Sequence, residues 1–386
     1  MTQRLRIAFV DDEPNVLTSL RRSMLAMLDD WEMAFFKSGP DLLDRMEAEV
    51  FDLVVSDMRM PAMDGAKLLN EISRRHPDTV RVILSGYADQ EAVFQTIGPA
   101  HIYLAKPCDP AALQQAIASR AKLRELMGST EMRRLLGRMS SLPSVPDIFF
   151  KLVEELRSPR ASAATIAAII DRDVAMTAEL LKLTNSSYFA VNARVTTPLQ
   201  AVRILGLDLV QTLVLQIGIF RQFQGTPETQ KQIEELNTYG QEMGALAESF
   251  ALKAGQPDDI AKAARCAALL SSIGCLILLN ERNADYRDLL ASLPPDVFLC
   301  AGEEKRFGAD HGLLGAYLLS LWGFADSVVE AVAFASRPSR STGAANPILA
   351  ALHMAMTAGP AFPLLTPARP VAARDHAYVA ASSRGG

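Results

Sequence analysis

The rhythm of apolar and polar positions changes near residue 130. Over residues 6 to 125, short β-branched or apolar runs alternate with amphipathic stretches, which predicts strands at Arg6–Val10, Glu32–Phe36, Leu53–Ser56, Val80–Leu84 and Ile102–Ala105. Helical segments begin near Glu13, Pro40, Ala66, Gln90 and Asp109, several of them at Pro or Asp, residues that suit a helix start. Five βα units in series predict an α/β doubly wound fold, a five-stranded parallel sheet with helices on both faces. From Glu131 to about Ala358 the alternation is replaced by long Ala, Leu and Ile segments of helical period, so the second part is expected to be all-α. Between the two, Leu113, Ile117, Leu123 and Met127 form a stripe at helical spacing that can pack on the first domain, on a second copy, or on both. Gly128, Ser129 and Thr130 interrupt it. The expected organisation is a first domain at 4–125, a linker at 126–134 that continues its last helix, a helical domain at 135–358, and an irregular or disordered tail at 359–386 that is rich in Ala, Pro, Ser, Arg and Gly.

In a parallel sheet of this kind the active crevice lies beyond the carboxyl ends of the strands. Strand one ends in Asp11 and Asp12, strand three in Asp57, strand four in Ser85, and strand five in Lys106 followed by Pro107. Singly, such an Asp is most often a helix cap and such a Lys merely exposed. Together, in order, at the right ends of successive strands, they describe one crevice holding three carboxylates, a hydroxyl and an ammonium. Like charges so close repel unless a cation joins them, and an all-oxygen site suits Mg²⁺. Asp57 then has the surroundings of a carboxylate nucleophile that forms an aspartyl-phosphate.

Four motifs, VDDEP at 10–14, VVSDMRMPAMDG at 54–65, VILSG at 82–86 and YLAKP at 103–107, make residues 4 to 125 resemble the response-regulator receiver family, whose CheY-like fold is of the flavodoxin-like type. The resemblance implies that Asp57 is the phosphoacceptor. It also implies that Asp11, Asp12, Asp57 and the backbone carbonyl of Arg59 bind Mg²⁺. Ser85 and Lys106 would contact the phosphoryl oxygens, Tyr103 would swing inward with Ser85, and Pro107 would follow a cis peptide. The implied upstream partner is a sensor histidine kinase.

The segments LPSVPDI at 142–148, IIDRDVAMTAELLKLTNSSYF at 169–189, AVRILGLDLV at 201–210 and EEKRFGADHGLLGAYLLSLWGF at 303–324 resemble the HDOD family, a relative of the HD metal-dependent phosphohydrolases. Chemistry in the HD superfamily needs a first histidine, a His-Asp dyad and a later Asp around one or two metals. No histidine lies between Ile102 and Asp310. The dyad position falls in ALLSSIGCLIL at 268–278, where Ser271 and Ser272 stand, and Ala335 and Ser336 occupy the places of later paired histidines. Hydroxyls are poor ligands for transition metals. A non-catalytic output domain with no cofactor, acting through protein–protein contact with a downstream protein, is therefore expected. The competing reading, a cyclic-dinucleotide phosphodiesterase, lacks its ligands. His311 reads as a helix-start or core histidine and His353 as packing. Asn185 and Ser186 read as bracing a turn, and Asp171 and Asp173 as capping or solvated carboxylates.

Composition narrows the classes further. A net charge of −5 over 386 residues, without a run of Lys and Arg, disfavours nucleic-acid binding, and no helix-turn-helix of convincing spacing is seen. The start, MTQRLRIAFVDDEP, turns acidic before an apolar stretch of secretory length develops, and the longest apolar runs are too short to span a bilayer. A cytoplasmic protein without membrane contact is expected. Cys108, Cys266, Cys275 and Cys300 form no CxxC pair or zinc-spaced cluster and read as reduced thiols. A homodimer remains open.

Overall fold

The computed structural model describes residues 4–24, 31–85, 100–106, 113–114, 117–118, 123, 125–139, 141–186, 195–217, 219–341, 345–365, 370 and 372–378. The N-terminal part is a five-stranded, all-parallel sheet in which β1 (Leu5–Val10), β2 (Trp31–Phe36), β3 (Leu53–Asp57), β4 (Val80–Ser85) and β5 (Ile102–Ala105) lie in the order β2-β1-β3-β4-β5. Each strand matches the sequence expectation to within one residue at either end. The strand residues alternate between the two faces of the sheet, and both faces are covered. Ile7, Phe9, Val55 and Val82 enter one apolar cluster and Ala8, Val10, Val54 and Ile83 another. The helices α1 (Pro14–Ser23), α2 (Gly39–Met46) and α3 (Gly65–Arg75) start where expected. Pro14 sits at the first helical position, the Ser38 hydroxyl caps α2, and the Asp64 carboxylate caps α3 by accepting from Lys67 N at 2.8 Å. The expected helix starts near Gln90 and Asp109, the peptide before Pro107 and the thiol Cys108 lie outside the described residues.

Leu113, Ile117, Leu123 and Met127 are all buried, in the same cluster as the sheet and the helical domain, so the stripe packs within its own chain. The interruption after it is a helix start. The Ser129 hydroxyl accepts from Met132 N at 3.2 Å and opens α4 (Thr130–Arg138). Helix α4 lies against the foot of the sheet. Arg81, near the amino end of β4 and only 1% exposed, donates from Nη2 to Gly137 O at 2.6 Å and from Nη1 to Thr79 O at 3.1 Å. The His101 ring accepts from Arg81 N at Nδ1 and lies 2.7 Å from Arg81 Nη2 and 3.2 Å from Gly137 O at Nε2. A cation thus meets the carbonyl end of a helix, where the macrodipole favours it. The approach is close enough that a Cβ on Gly137 would lie 1.9 Å from Pro77 O.

Beyond α4 the elements among the described residues are helices, apart from the two-residue strands β6 (Pro143–Ser144) and β7 (Arg221–Gln222), which pair in parallel. The helices α5 (Pro146–Leu156), α6 (Ala163–Ile170), α7 (Val174–Thr184), α8 (Pro198–Leu205) and α9 (Leu207–Thr212) form one group. The 27-residue α10 (Pro227–Lys253) packs on α11 (Asp258–Leu270) and α17 (Pro347–Ala358). Between them run α12 (Ile273–Glu281), α13 (Asn283–Ser292), α14 (Leu299–Phe307), α15 (His311–Leu321) and α16 (Asp326–Phe334). Among the described residues, Asp258–Glu281 is long and apolar enough to cross a membrane, but 89% of its apolar window is buried inside the fold. Among the described residues of the expected tail, the first part is packed rather than disordered. Phe362, Leu364 and Leu365 are buried because they supply the apolar surface that closes the domain.

Candidate functional site

The carboxyl ends of the strands bring the expected side chains together. Asp11 directly follows β1 and is 1% exposed, and Asp57 ends β3 at 7%. Lys106, just past β5, donates from Nζ to Asp11 Oδ2 at 2.8 Å and forms an ion pair with Asp57. Asp57 Oδ2 also accepts from Arg59 N at 2.9 Å, while Asp11 Oδ1 accepts from Glu13 N at 2.9 Å. Burial pushes the Asp57 carboxyl above its ordinary range; Lys106 pulls it back and Asp11 adds to the rise. For Lys106 burial opposes the charge, but the two carboxylates outweigh it and hold its pKa above the usual value.

Beside this pair opens a groove of about 460 Å³ lined by Asp12, Met58, Arg59, Met60, Pro61, Asp64 and Ala66. In the loop after β3, between Pro61 and Asp64 of this lining, Ala62 holds φ at +66°, in the left-handed region that glycine adopts without strain. The donor set fits Mg²⁺. Two buried carboxylates share one ammonium, Asp12 adds a third at the groove, and all offered atoms are oxygens. Ser85 closes β4 opposite Ala105, and Tyr103 pairs with Ile83. Their side chains lie outside the description, so the structure brings together Asp11, Asp12, Asp57, Arg59 and Lys106 and places only the backbones of the other two.

In the helical domain, the positions expected for the His-Asp dyad hold two serines. Ser271 Oγ donates to Ala268 O at 2.7 Å and Ser272 is 2% exposed, both at the junction of α11 and α12. Ala335 O accepts from His353 Nδ1 at 2.8 Å, and His353 Nε2 accepts from Asp375 N, so His353 ties the tail to the core. The HDOD domain model matches residues 142–338, more than half of the chain. The chain belongs to the HDOD family. Ahead of the HDOD domain, the response regulator receiver domain model matches residues 7–118.

Similar proteins include an uncharacterized protein of Treponema pallidum, 27% identical over 210 residues, which is 52% of this chain and 38% of that protein. The response regulator protein PilR of Pseudomonas aeruginosa is 33% identical over 138 residues, 35% of this chain and 30% of PilR. This chain thus spans well under half the length of these curated relatives. Among solved structures, the MmoQ response regulator of Methylococcus capsulatus is 22% identical with a TM-score of 0.46, covering 56% of this chain and 86% of that one.

Two parts of the HDOD domain carry polar chemistry that the sequence left unassigned. In the first, the chain entering the domain is clamped by carboxylates of α7. Asp173 caps α7 by accepting from Met176 N and also accepts from Val145 N, both at 2.9 Å; Glu179 accepts from Leu142 N at 3.1 Å. Asp173 is therefore capping, as expected, but buried rather than solvated, whereas Asp171 pairs with Arg265. Lys182 lies 3.7 Å from Glu179 and over the Trp322 ring. Asn185 braces the loop by bonding Val195 through both N and O at 2.8 Å.

Burial raises Asp173 to about 6 and Glu179 to about 7. Both folded values exceed the unfolded ones, so folding takes up protons between them. This stabilisation is complete below the unfolded pKa values and is lost as pH rises through about 6 to 7. The HDOD domain is expected to lose about 4 kcal/mol between about pH 5 and pH 8, read from urea midpoints, with a loss of about 1.4 kcal/mol left in Glu179→Gln. Equal stability at both pH values would show that these carboxylates fold ionised.

The second is a fully buried group around His311. Glu303 Oε2 accepts from His311 N at 2.9 Å and meets His311 Nδ1 at 2.6 Å, while Tyr286 donates to Glu303 Oε1 at 2.8 Å. Burial opposes a charge on His311, but Glu303 overcomes this and lifts its pKa above the ordinary value. His311 is the helix-start histidine expected, with more partners than one.

Proposed function

We propose that this chain is a phosphorylation-controlled response regulator whose HDOD domain passes the signal on by protein contact. A sensor histidine kinase is the phosphoryl donor, Asp57 the acceptor, and no external substrate is turned over. The convergence of Asp11, Asp57 and Lys106 beside an open groove supports this reading. Asp11, Asp12, Asp57 and the Arg59 carbonyl would hold Mg²⁺, which would supply charge neutralisation for the incoming phosphoryl group. An Asp57 oxygen attacks phosphorus, and the nitrogen of the donor histidine leaves. Lys106, already paired with the acceptor, then follows the new oxygens, with Ser85 and Tyr103 rearranging around them. The added charge of about −1.5 to −2 alters the balance of the pocket and biases the contacts of the receiver. In the HDOD domain, Ser271 and Ser272 at the dyad position support a non-catalytic role. The absence of basic runs supports an output through protein rather than DNA.

Acetyl phosphate with Mg²⁺ is expected to label the protein once, with Asp57→Asn abolishing the label and Asp12→Ala lowering both yield and Mg²⁺ dependence. An acid-stable phosphate on Ser or Thr would sink the assignment. Purified protein is expected not to turn over cyclic dinucleotides, and a pull-down comparing wild type with Asp57→Asn tests for a phosphorylation-dependent partner.

A further inference from the structure

Helices α12 and α15 cross with their backbones in close approach. A Cβ on Gly274 would lie 1.9 Å from His311 O, and one on Gly315 would lie 3.2 Å from Gly274 N. This crossing sets Cys275 of α12 against His311 of α15, and the turn between α14 and α15 brings in Glu303. One ligand atom of each, a sulfur, an imidazole nitrogen and a carboxylate oxygen, all lie within 4.8 Å of one another. We propose that Cys275, Glu303 and His311 bind one Zn²⁺ ion, which pins α12, α14 and α15 together.

Ligands around zinc at about 2.0 to 2.3 Å stand about 3.3 to 3.8 Å apart, so donors separated by up to 4.8 Å must close by about 1 to 1.5 Å, while His311 Nδ1, 2.6 Å from Glu303 Oε2, must open by about 0.7 Å. Thiolate, imidazole and carboxylate together select zinc over Mg²⁺ or Ca²⁺. Charge closes as well. Binding releases the thiol proton of Cys275 and the proton shared by His311 Nδ1 and Glu303 Oε2. One thiolate and one carboxylate then balance the two positive charges, as a desolvated site requires.

A second observation points the same way. The hydroxyl of Tyr239, on α10, is buried and has no hydrogen-bond partner. Its ring packs edge-on against Phe362, which in turn stacks on the His311 ring at 6.2 Å. Burial holds the Tyr239 hydroxyl well above its ordinary pKa, and Cys275 adds to the rise. A thiol is a weak acceptor, whereas a metal-held thiolate gives this orphaned O–H a partner. Tyr286, bonded to Glu303, supplies the outer contact that ligating carboxylates usually have.

The site lies about one helical turn from Ser272, so it does not restore the missing His-Asp dyad. Its ligands are all buried, which suits a structural metal and leaves the non-catalytic reading intact. It departs from the expectation that the helical domain holds no metal.

The ion must enter during folding, so the test uses full-length protein produced in cells supplied with Co²⁺ in place of Zn²⁺. Carrying Asp57→Asn in every sample weakens the receiver pocket as a competing site. One cobalt per chain and a near-ultraviolet thiolate-to-cobalt band are expected. Cys275→Ser should abolish the band, while Cys266→Ser, a buried thiol elsewhere on α11, should keep it. If Cys275→Ser does not fold, Glu303→Gln keeps the thiol and should lower cobalt affinity at least tenfold. No band in the parent, or a band that survives Cys275→Ser, would reduce the cluster to a hydrogen-bonded network only.

Discussion

Gly274→Ala is expected to destabilise the HDOD domain by about 3 kcal/mol, the upper end of what overpacking a core costs. In an exposed helix the same change would stabilise by about 1 kcal/mol, because alanine is the better helix former. Here the new methyl would sit 1.9 Å from His311 O, a backbone atom that cannot rotate away. Helices α12 and α15 must separate, and the apolar surfaces of Ile273, Leu276 and Leu314, all buried at the crossing, lose contact. Urea unfolding of the full chain should show a lower midpoint for the helical transition, with the receiver transition unmoved. A midpoint equal to or above wild type would mean that the crossing is looser than described.

Gly137→Ala is expected to part the two domains without unfolding either. Its methyl would lie 1.9 Å from Pro77 O, so α4 must withdraw from the foot of the sheet. Withdrawal lengthens the 2.6 Å bond from Arg81 to Gly137 O. A buried guanidinium deprived of such an acceptor costs about 2 to 3 kcal/mol. Amide exchange should rise in residues 77–82 and 130–138 while labelling of Asp57 persists. Arg81→Met, which removes the cation and keeps the apolar stem, should raise exchange over the same amides. Unchanged exchange in both variants would show that the contact does not hold the domains in solution.

The five strands and the pocket were legible because their signals are local. A run such as LVVSD carries both its sheet pattern and, at its end, its chemistry. The stripe from Leu113 to Met127 was legible as a helix face, but its partner was not, since an apolar face does not say which apolar surface covers it. Arg81 and His101 were missed altogether. Arginine inside VRVIL reads as the polar side of a strand, and only the tertiary fold shows that α4 lies over it and supplies a carbonyl. Cys275, Glu303 and His311 belong to separate helices, and no spacing announces a group assembled by the angle at which those helices cross. In the tail, Pro, Ala and Gly hid Phe362, whose burial depends on the groove it meets.

The bond from Arg81 to Gly137 bears on how this chain can be taken apart and rebuilt. Arg81 stands four residues before Ser85 on β4, about 13 Å along the strand, so the strand-end aspartate pocket and the domain contact occupy opposite ends of one rigid element. The receiver is therefore not a detachable cassette. A receiver grafted from another protein would bring the strand-end aspartates and lysine with it, yet present some other side chain at the foot of β4. The carbonyl end of α4 would then be buried without its cation. A working chimera needs Thr79, Arg81 and His101 transplanted along with the graft, or α4 exchanged to match.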